Sequence, residues 1–116
     1  MRNFKNLTVW QKGMNLVKEV YFLGKYLPNN EKFGLYSQMT RAAVSIPSNI
    51  AEGCGRQSDK EFKRFLEIAL GSAYELETQL LLVQELNLIE KETLKTIDLV
   101  LEIQKMLQAL VKKLMS

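Results

Sequence analysis

The chain has 116 residues, 47% hydrophobic and 25% charged, with 16 Lys and Arg against 13 Asp and Glu for a net charge of +3. This suits one domain, residues 1–116. It excludes a disordered chain, and no apolar run approaches the ~20 residues of a membrane span. There is no histidine and one cysteine, Cys54, which excludes His-dependent nucleophile systems and HExxH zinc sites and points to a reducing, cytoplasmic setting.

Four segments carry a helical period. The first starts at Thr8, where Thr8-Val9-Trp10-Gln11 fits a capping box. Its stripe runs through Trp10, Met14, Val17, Val20, Tyr21, Gly24 and Leu27, and Pro28 ends it. The second starts after Asn30, with Glu31 in its first turn. Its inward face is Leu35, Met39, Ala42 or Ala43, Ile46 and Ile50, with a kink or break expected near Pro47. Gly53 and Gly55 are read as its left-handed cap.

The third helix opens on a second capping box, Ser58-Asp59-Lys60-Glu61, and runs to about Leu86, where Asn87 stops it. Its seam is Phe62, Phe65, Leu66, Ala69, Ala73, Leu76, Leu80 and Val83. The fourth runs from about Glu90 to Leu114. One apolar set holds Leu94, Ile97, Leu101, Leu107, Leu110 and Leu114, and another Leu99, Val100, Ile103, Met106 and Val111. The fold class is all-α, an antiparallel up-down four-helix bundle. The two-faced fourth helix fits burial against a second copy, or fraying around a single core stripe.

Charge is uneven. Residues 1–32 carry six cations and two carboxylates, whereas residues 67–104 carry two lysines and eight carboxylates. Arg56, Lys60, Lys63 and Arg64 form the densest basic group. The last three share a helix face and could meet successive phosphates, or pair with Asp59, Glu61 and Glu67 as a solvated face. Aromatics for stacking on bases are few, since Phe62, Phe65 and Trp10 read as core.

From Arg41 to Arg56 the chain is rich in small residues. Ser45, Ser48, Asn49 and Glu52 share one helical face, which could satisfy backbone groups freed by Pro47 or meet a ligand or neighbouring subunit. Carboxylate catalysis by Glu52, Glu75 or Glu77 lacks a paired base. No GxxxxGK[ST] or GxGxxG loop occurs. No catalytic residue, cofactor or metal is expected.

Leu7-Thr8-Val9-Trp10-Gln11-Lys12, the run Tyr36 to Val44 and Ser45-Ile46-Pro47-Ser48-Asn49-Ile50-Ala51-Glu52-Gly53 carry a resemblance. Glu61-Phe62, Phe65-Leu66, Ala69-Leu70-Gly71-Ser72 and Glu75 to Leu80 extend it. Together they resemble the bacterial 23S rRNA intervening-sequence protein family, over about Phe4 to beyond Leu88. Residues 90–116 match only in helical character.

The resemblance implies a cytoplasmic four-helix bundle without known enzymatic activity. The "ribosomal" label records where such reading frames were noticed, not a ribosome subunit. Relatives include the accessory variability protein of diversity-generating retroelements, a ring of five bundles that binds nucleic acid and a reverse transcriptase through basic surface. A homo-oligomer, a pentameric ring, is therefore implied. Arg41 and Arg56 keep the family's basic residues, and Ser45, Pro47, Ser48, Asn49, Glu52 and Gly53 form its motif, structural or interfacial. Cys54 stands at a variable position and takes no role.

The leading expectation is a non-enzymatic homo-oligomer that binds RNA or DNA, structured RNA above all, through Arg41, Arg56, Lys60, Lys63 and Arg64. The alternative is a scaffold for a partner protein. No membrane partner is expected.

Overall fold

Residues 2–115 are described by the structure, a computed structural model, and their regular elements are four α-helices and two single-turn 3-10 segments. The first 3-10 turn, Phe4–Asn6, leads into α1 (Thr8–Gly24). Asn3 caps that turn by accepting the Lys5 N–H at 3.1 Å. The chain thus enters α1 already wound, which corrects the first expected capping box. Leu7 holds the cap position without a side-chain bond, and the Gln11 amide donates instead to the Lys5 carbonyl at 2.8 Å.

The core stripe of α1 is Val9, Gly13, Leu16, Val20 and Leu23. Apart from Val20, the expected stripe lies about one residue, or 100°, round the helix. Trp10 and Val17 are half-buried and Met14 and Tyr21 exposed. α1 is apolar on both of these faces, and the inward one is set by what it packs on. It carries Gly13, where an added Cβ would make ordinary contact 3.4 Å from Pro47 Cβ.

α1 ends at Gly24, earlier than its apolar spacing suggested, and α2 spans Leu35–Cys54. A 3-10 turn, Asn29–Glu31, lies between them. α2 therefore starts several residues later than expected. Glu31 precedes the helix as a cap, its carboxylate accepting the Leu35 N–H at 3.3 Å. α2 runs through Pro47 unbroken. The proline costs one backbone hydrogen bond, and its buried ring packs against Gly13.

Gly53 lies inside α2, and Gly55 ends it at φ −82°, a right-handed conformation. The expected left-handed glycine cap is thus replaced by a packing role for Gly53. A Cβ there would come 2.8 Å from Phe65 Cβ and 3.0 Å from Phe62 Cδ1.

α3 (Asp59–Glu85) begins as expected. Ser58 Oγ accepts the Glu61 N–H at 3.1 Å. It ends beside Asn87, whose φ of 50° turns the chain out of the helix. α4 (Leu94–Met115) starts later than the expected Glu90. Glu92 accepts the Leu94 N–H at 2.8 Å, and buried Thr93 accepts the Gln84 amide at 2.7 Å, which ties the loop to α3.

Cross-helix pairs fix the topology. Gly13 meets Pro47 and Gly24 meets Tyr36, so α1 and α2 run antiparallel. Ser45 meets Ser72 while Gly53 meets Phe65, reversing direction again into α3. Gln84 meets Thr93 and Gln104 meets Glu77, reversing once more into α4. α4 closes on α1 through Lys12–Glu102 at 3.2 Å and Thr96–Glu19 at 3.1 Å. This is an up-down four-helix bundle of 44 × 21 × 20 Å.

The core joins Leu16, Val20, Met39, Ile46, Ile50, Leu66, Leu76, Leu80, Val100, Ile103 and Leu107. In α4 the expected sets are mixed. Val100 and Ile103 from the second set are buried, whereas Leu94 from the first is 55% exposed. Leu99, Leu101, Met106, Leu110, Val111 and Leu114 flank the core half-buried. Among the described residues no helix is long and apolar enough to cross a membrane.

Candidate nucleic-acid interface

Alternating helix directions gather the start of α1, the end of α2, the start of α3 and the end of α4 at one end of the bundle. Residues 2–16, 46–67 and 107–115 make up that end and hold nine Lys and Arg against four Asp and Glu. The remaining residues hold seven against nine. A modest net charge is thus an electrical asymmetry along the long axis.

Arg56 leads this end. Its guanidinium pairs with Glu52 at 2.8 Å and lies 4.7 Å from the centre of the Phe65 ring. Lys63 reaches Glu67 only at 4.0 Å. Among the described residues, Lys60 and Arg64 make no ion pair. They lie four apart on α3 and share a face, as expected.

Arg2, which sequence reasoning missed, joins them. It packs 4.2 Å from the centre of the Phe62 ring, pairs with Asp59 and reaches the Arg56 carbonyl at 3.5 Å. Arg2, Gly55, Arg56 and Gln57 line an open cavity of about 600 Å³. Nothing in the spacing could reveal a contact across 57 residues.

Arg41 does not join the group. Fifteen residues, thirteen of them along α2, put it about 20 Å from Arg56. It lines a separate groove between α2 and α3 with Gln38, Ala42, Ser45, Ser72 and Glu75.

The small-residue motif is mostly a helix seam. Ser45 and Ser72 share a hydrogen bond at 2.8 Å, and the Asn49 amide donates to the Ser45 carbonyl at 2.8 Å and its hydroxyl at 2.9 Å. Pro47 and Gly53 are buried, whereas Ser48 and Glu52 are exposed. The polar face does not repair the proline site. Pro47 leaves the Ala43 carbonyl without its helical donor, but Asn49 bonds the Ser45 carbonyl.

Glu52 is engaged by Arg56 and Glu77 by the Gln104 amide at 2.8 Å. Among the described residues, no three His, Cys, Asp or Glu side chains gather into a metal-holding group. Cys54 is buried. Burial pushes its thiol above the ordinary range, and the Arg2 guanidinium pulls it partly back.

Exposed rings are more numerous than expected. Tyr74, 43% exposed, lies mid-bundle with its hydroxyl accepting the Gln108 amide at 2.8 Å, and the others sit at the opposite end. Tyr21, Phe22 and Tyr26 are 44–48% exposed and Phe33 is 89% exposed. Lys91 stands 5.5 Å from the Phe22 ring centre and Lys32 5.5 Å from that of Phe33. Near the basic end, Phe62 is buried, Phe65 lies under Arg56, and Trp10 meets Phe4 edge-on at 5.2 Å.

Fold and surface define an all-α four-helix bundle with one cationic end. The chain belongs to the 23S rRNA-intervening sequence protein family, whose model matches residues 5–109. The match takes in most of α4, beyond the residues that carried the resemblance. The chain is also similar to a protein of unknown function from the S23 ribosomal protein family of Bacteroides thetaiotaomicron VPI-5482. That structure is 32% identical with a TM-score of 0.81, over 90% of this chain and 95% of that one. No curated protein sequence matches the chain.

Proposed function

We propose that this protein is a non-enzymatic, cytoplasmic homo-oligomer, a ring of five, that binds nucleic acid through its basic end, structured RNA above all. The observation that carries this reading is the axial charge asymmetry. Nine cations face four carboxylates at one end, and Lys60 and Arg64 are unpaired there among the described residues. Such a surface exchanges condensed counterions for phosphate contacts.

Self-association is supported by apolar surface the bundle leaves uncovered. Leu7, Met106, Ala109 and Leu110 line a groove of about 360 Å³ between α1 and α4, with buried Val9 at its floor. Burying such a groove against another copy releases water from apolar area.

The test is RNA binding at several salt concentrations, with oligomer mass measured in the same buffers. Lys60→Ala with Arg64→Ala lowers affinity for all RNAs alike and reduces the salt slope by about two, one for each lost phosphate contact. An unchanged affinity removes this face from the interface. A monomeric mass removes the ring.

The exposed rings at the opposite end favour a second reading, a scaffold that holds a partner protein. Aromatic side chains dominate protein interfaces. Partner binding that ignores salt, together with no RNA affinity, selects it.

A further inference from the structure

The groove between α2 and α3 is a second polar feature, away from the basic end. It encloses about 460 Å³, within the range of small-ligand clefts. Arg41 and Glu75 both line it, yet among the described residues neither makes an ion pair. Opposite charges facing one groove without pairing leave one strong donor and one strong acceptor open to a ligand.

The wall between them adds a donor. Ser45 Oγ already accepts one Asn49 N–H at 2.9 Å, and the other Asn49 N–H goes to the Ser45 carbonyl at 2.8 Å. The Ser45–Ser72 bond of 2.8 Å uses one of the two hydroxyl protons. The other has no acceptor among the described residues, whichever hydroxyl carries it. Gln38 adds an amide at the rim.

A ligand for this groove offers an anion to Arg41, an acceptor to the hydroxyl and adjacent donors to Glu75. A carboxylate accepts through both oxygens, so it matches two neighbouring N–H groups. Among the RNA bases, guanine alone presents two such donors side by side, N1–H and N2–H, on its Watson–Crick edge. Adenine and cytosine present one donor beside a bare nitrogen, and uracil one donor between two carbonyls. Unpaired bases are read on this edge.

We infer that the α2–α3 groove binds an unpaired guanosine nucleotide, with Arg41 on its phosphate, a seryl hydroxyl on its sugar or base, and Glu75 on its Watson–Crick edge. This rests on the RNA-binding reading of the basic end and extends it. Arg41 and Arg56, about 20 Å apart, are separated by about six stacked nucleotides. One strand could therefore touch both.

The test uses three RNA hairpins that differ at one loop nucleotide, guanosine, inosine or adenosine. Their affinities are measured for the wild type, Glu75→Gln, Arg41→Ala and the Lys60→Ala/Arg64→Ala pair. The altered side chains are exposed, and circular dichroism confirms each fold.

The wild type prefers guanosine over adenosine by about tenfold, with inosine between them because it lacks the N2 amine. Glu75→Gln erases that preference and leaves the salt slope unchanged. Arg41→Ala lowers the slope by about one. The Lys60/Arg64 pair weakens all three hairpins equally. Equal binding of the three by the wild type overturns the groove's role and leaves the basic end standing. Binding of none overturns both.

Discussion

Gly53 and Cys54 are neighbours buried for different reasons. At Gly53 a methyl group would press on Phe65 Cβ, an atom close to the backbone that cannot swing away. Gly53→Ala gains about 1 kcal/mol of helix propensity and incurs about 1–3 kcal/mol of overpacking. We expect a net loss of about 1 kcal/mol in urea unfolding. Cys54 is 1% exposed and holds its proton more tightly than an ordinary thiol. The unfolded chain therefore ionises first as pH rises. The stability contributed by the neutral thiol is complete below about pH 8.5 and is lost on passing upward through the folded value. Cys54→Ala should flatten the alkaline limb of the stability profile relative to the wild type. The native thiol should also react slowly with a thiol reagent until the protein is unfolded.

Two helix features behave differently from their sequence signals. Ser58 does what a capping residue should, and Ser58→Ala is expected to cost about 1 kcal/mol by thermal or urea unfolding. Pro47 breaks nothing, and its ring packs against Gly13. Pro47→Ala restores a backbone donor and loses some ring packing. We expect a gain of about 1 kcal/mol with helix content unchanged by circular dichroism, since the segment is already helical. Loss of the oligomer in a folded variant would instead assign the ring to an interface. The seams of α2 and α3 were legible from their apolar periods, although α3 also leaves Ile68, Leu81 and Leu82 exposed. The face of α1 was not, since Trp10, Met14 and Tyr21 rival Val9, Leu16 and Leu23 in apolarity. Only a partner helix decides between them. Helix starts were legible where a side chain caps its own helix, as at Ser58. They were missed where a carboxylate acts from the preceding loop, as Glu31 and Glu92 do.

At the scale of the molecule, the bundle was legible from four apolar periods and short connections. The cationic end was legible only in part. Arg56, Lys60, Lys63 and Arg64 are close in sequence, so spacing sufficed. Arg2 joins by folding, and Arg41 leaves by the length of α2. If the charge asymmetry governs binding, the effect should depend on position. Neutralising Lys18 and Lys25 together changes the net charge as much as neutralising Lys60 and Arg64 does, because each pair removes two charges. We expect the Lys18/Lys25 pair to alter RNA affinity far less, as measured by titration at fixed salt. Equal losses from the two pairs would mean that only total charge matters.

The reversal of direction at every helix has a practical corollary. Arg2 is tied to the start of α3, and Leu7 and Lys113 line one groove, so both ends of the described chain sit on the cationic face. Affinity tags or fluorescent fusions at either terminus would crowd the surface whose binding they are meant to report. A label inserted in the exposed turn at Asn29 and Asn30 avoids this. The label then stands at the far end of the bundle, some 44 Å away at most.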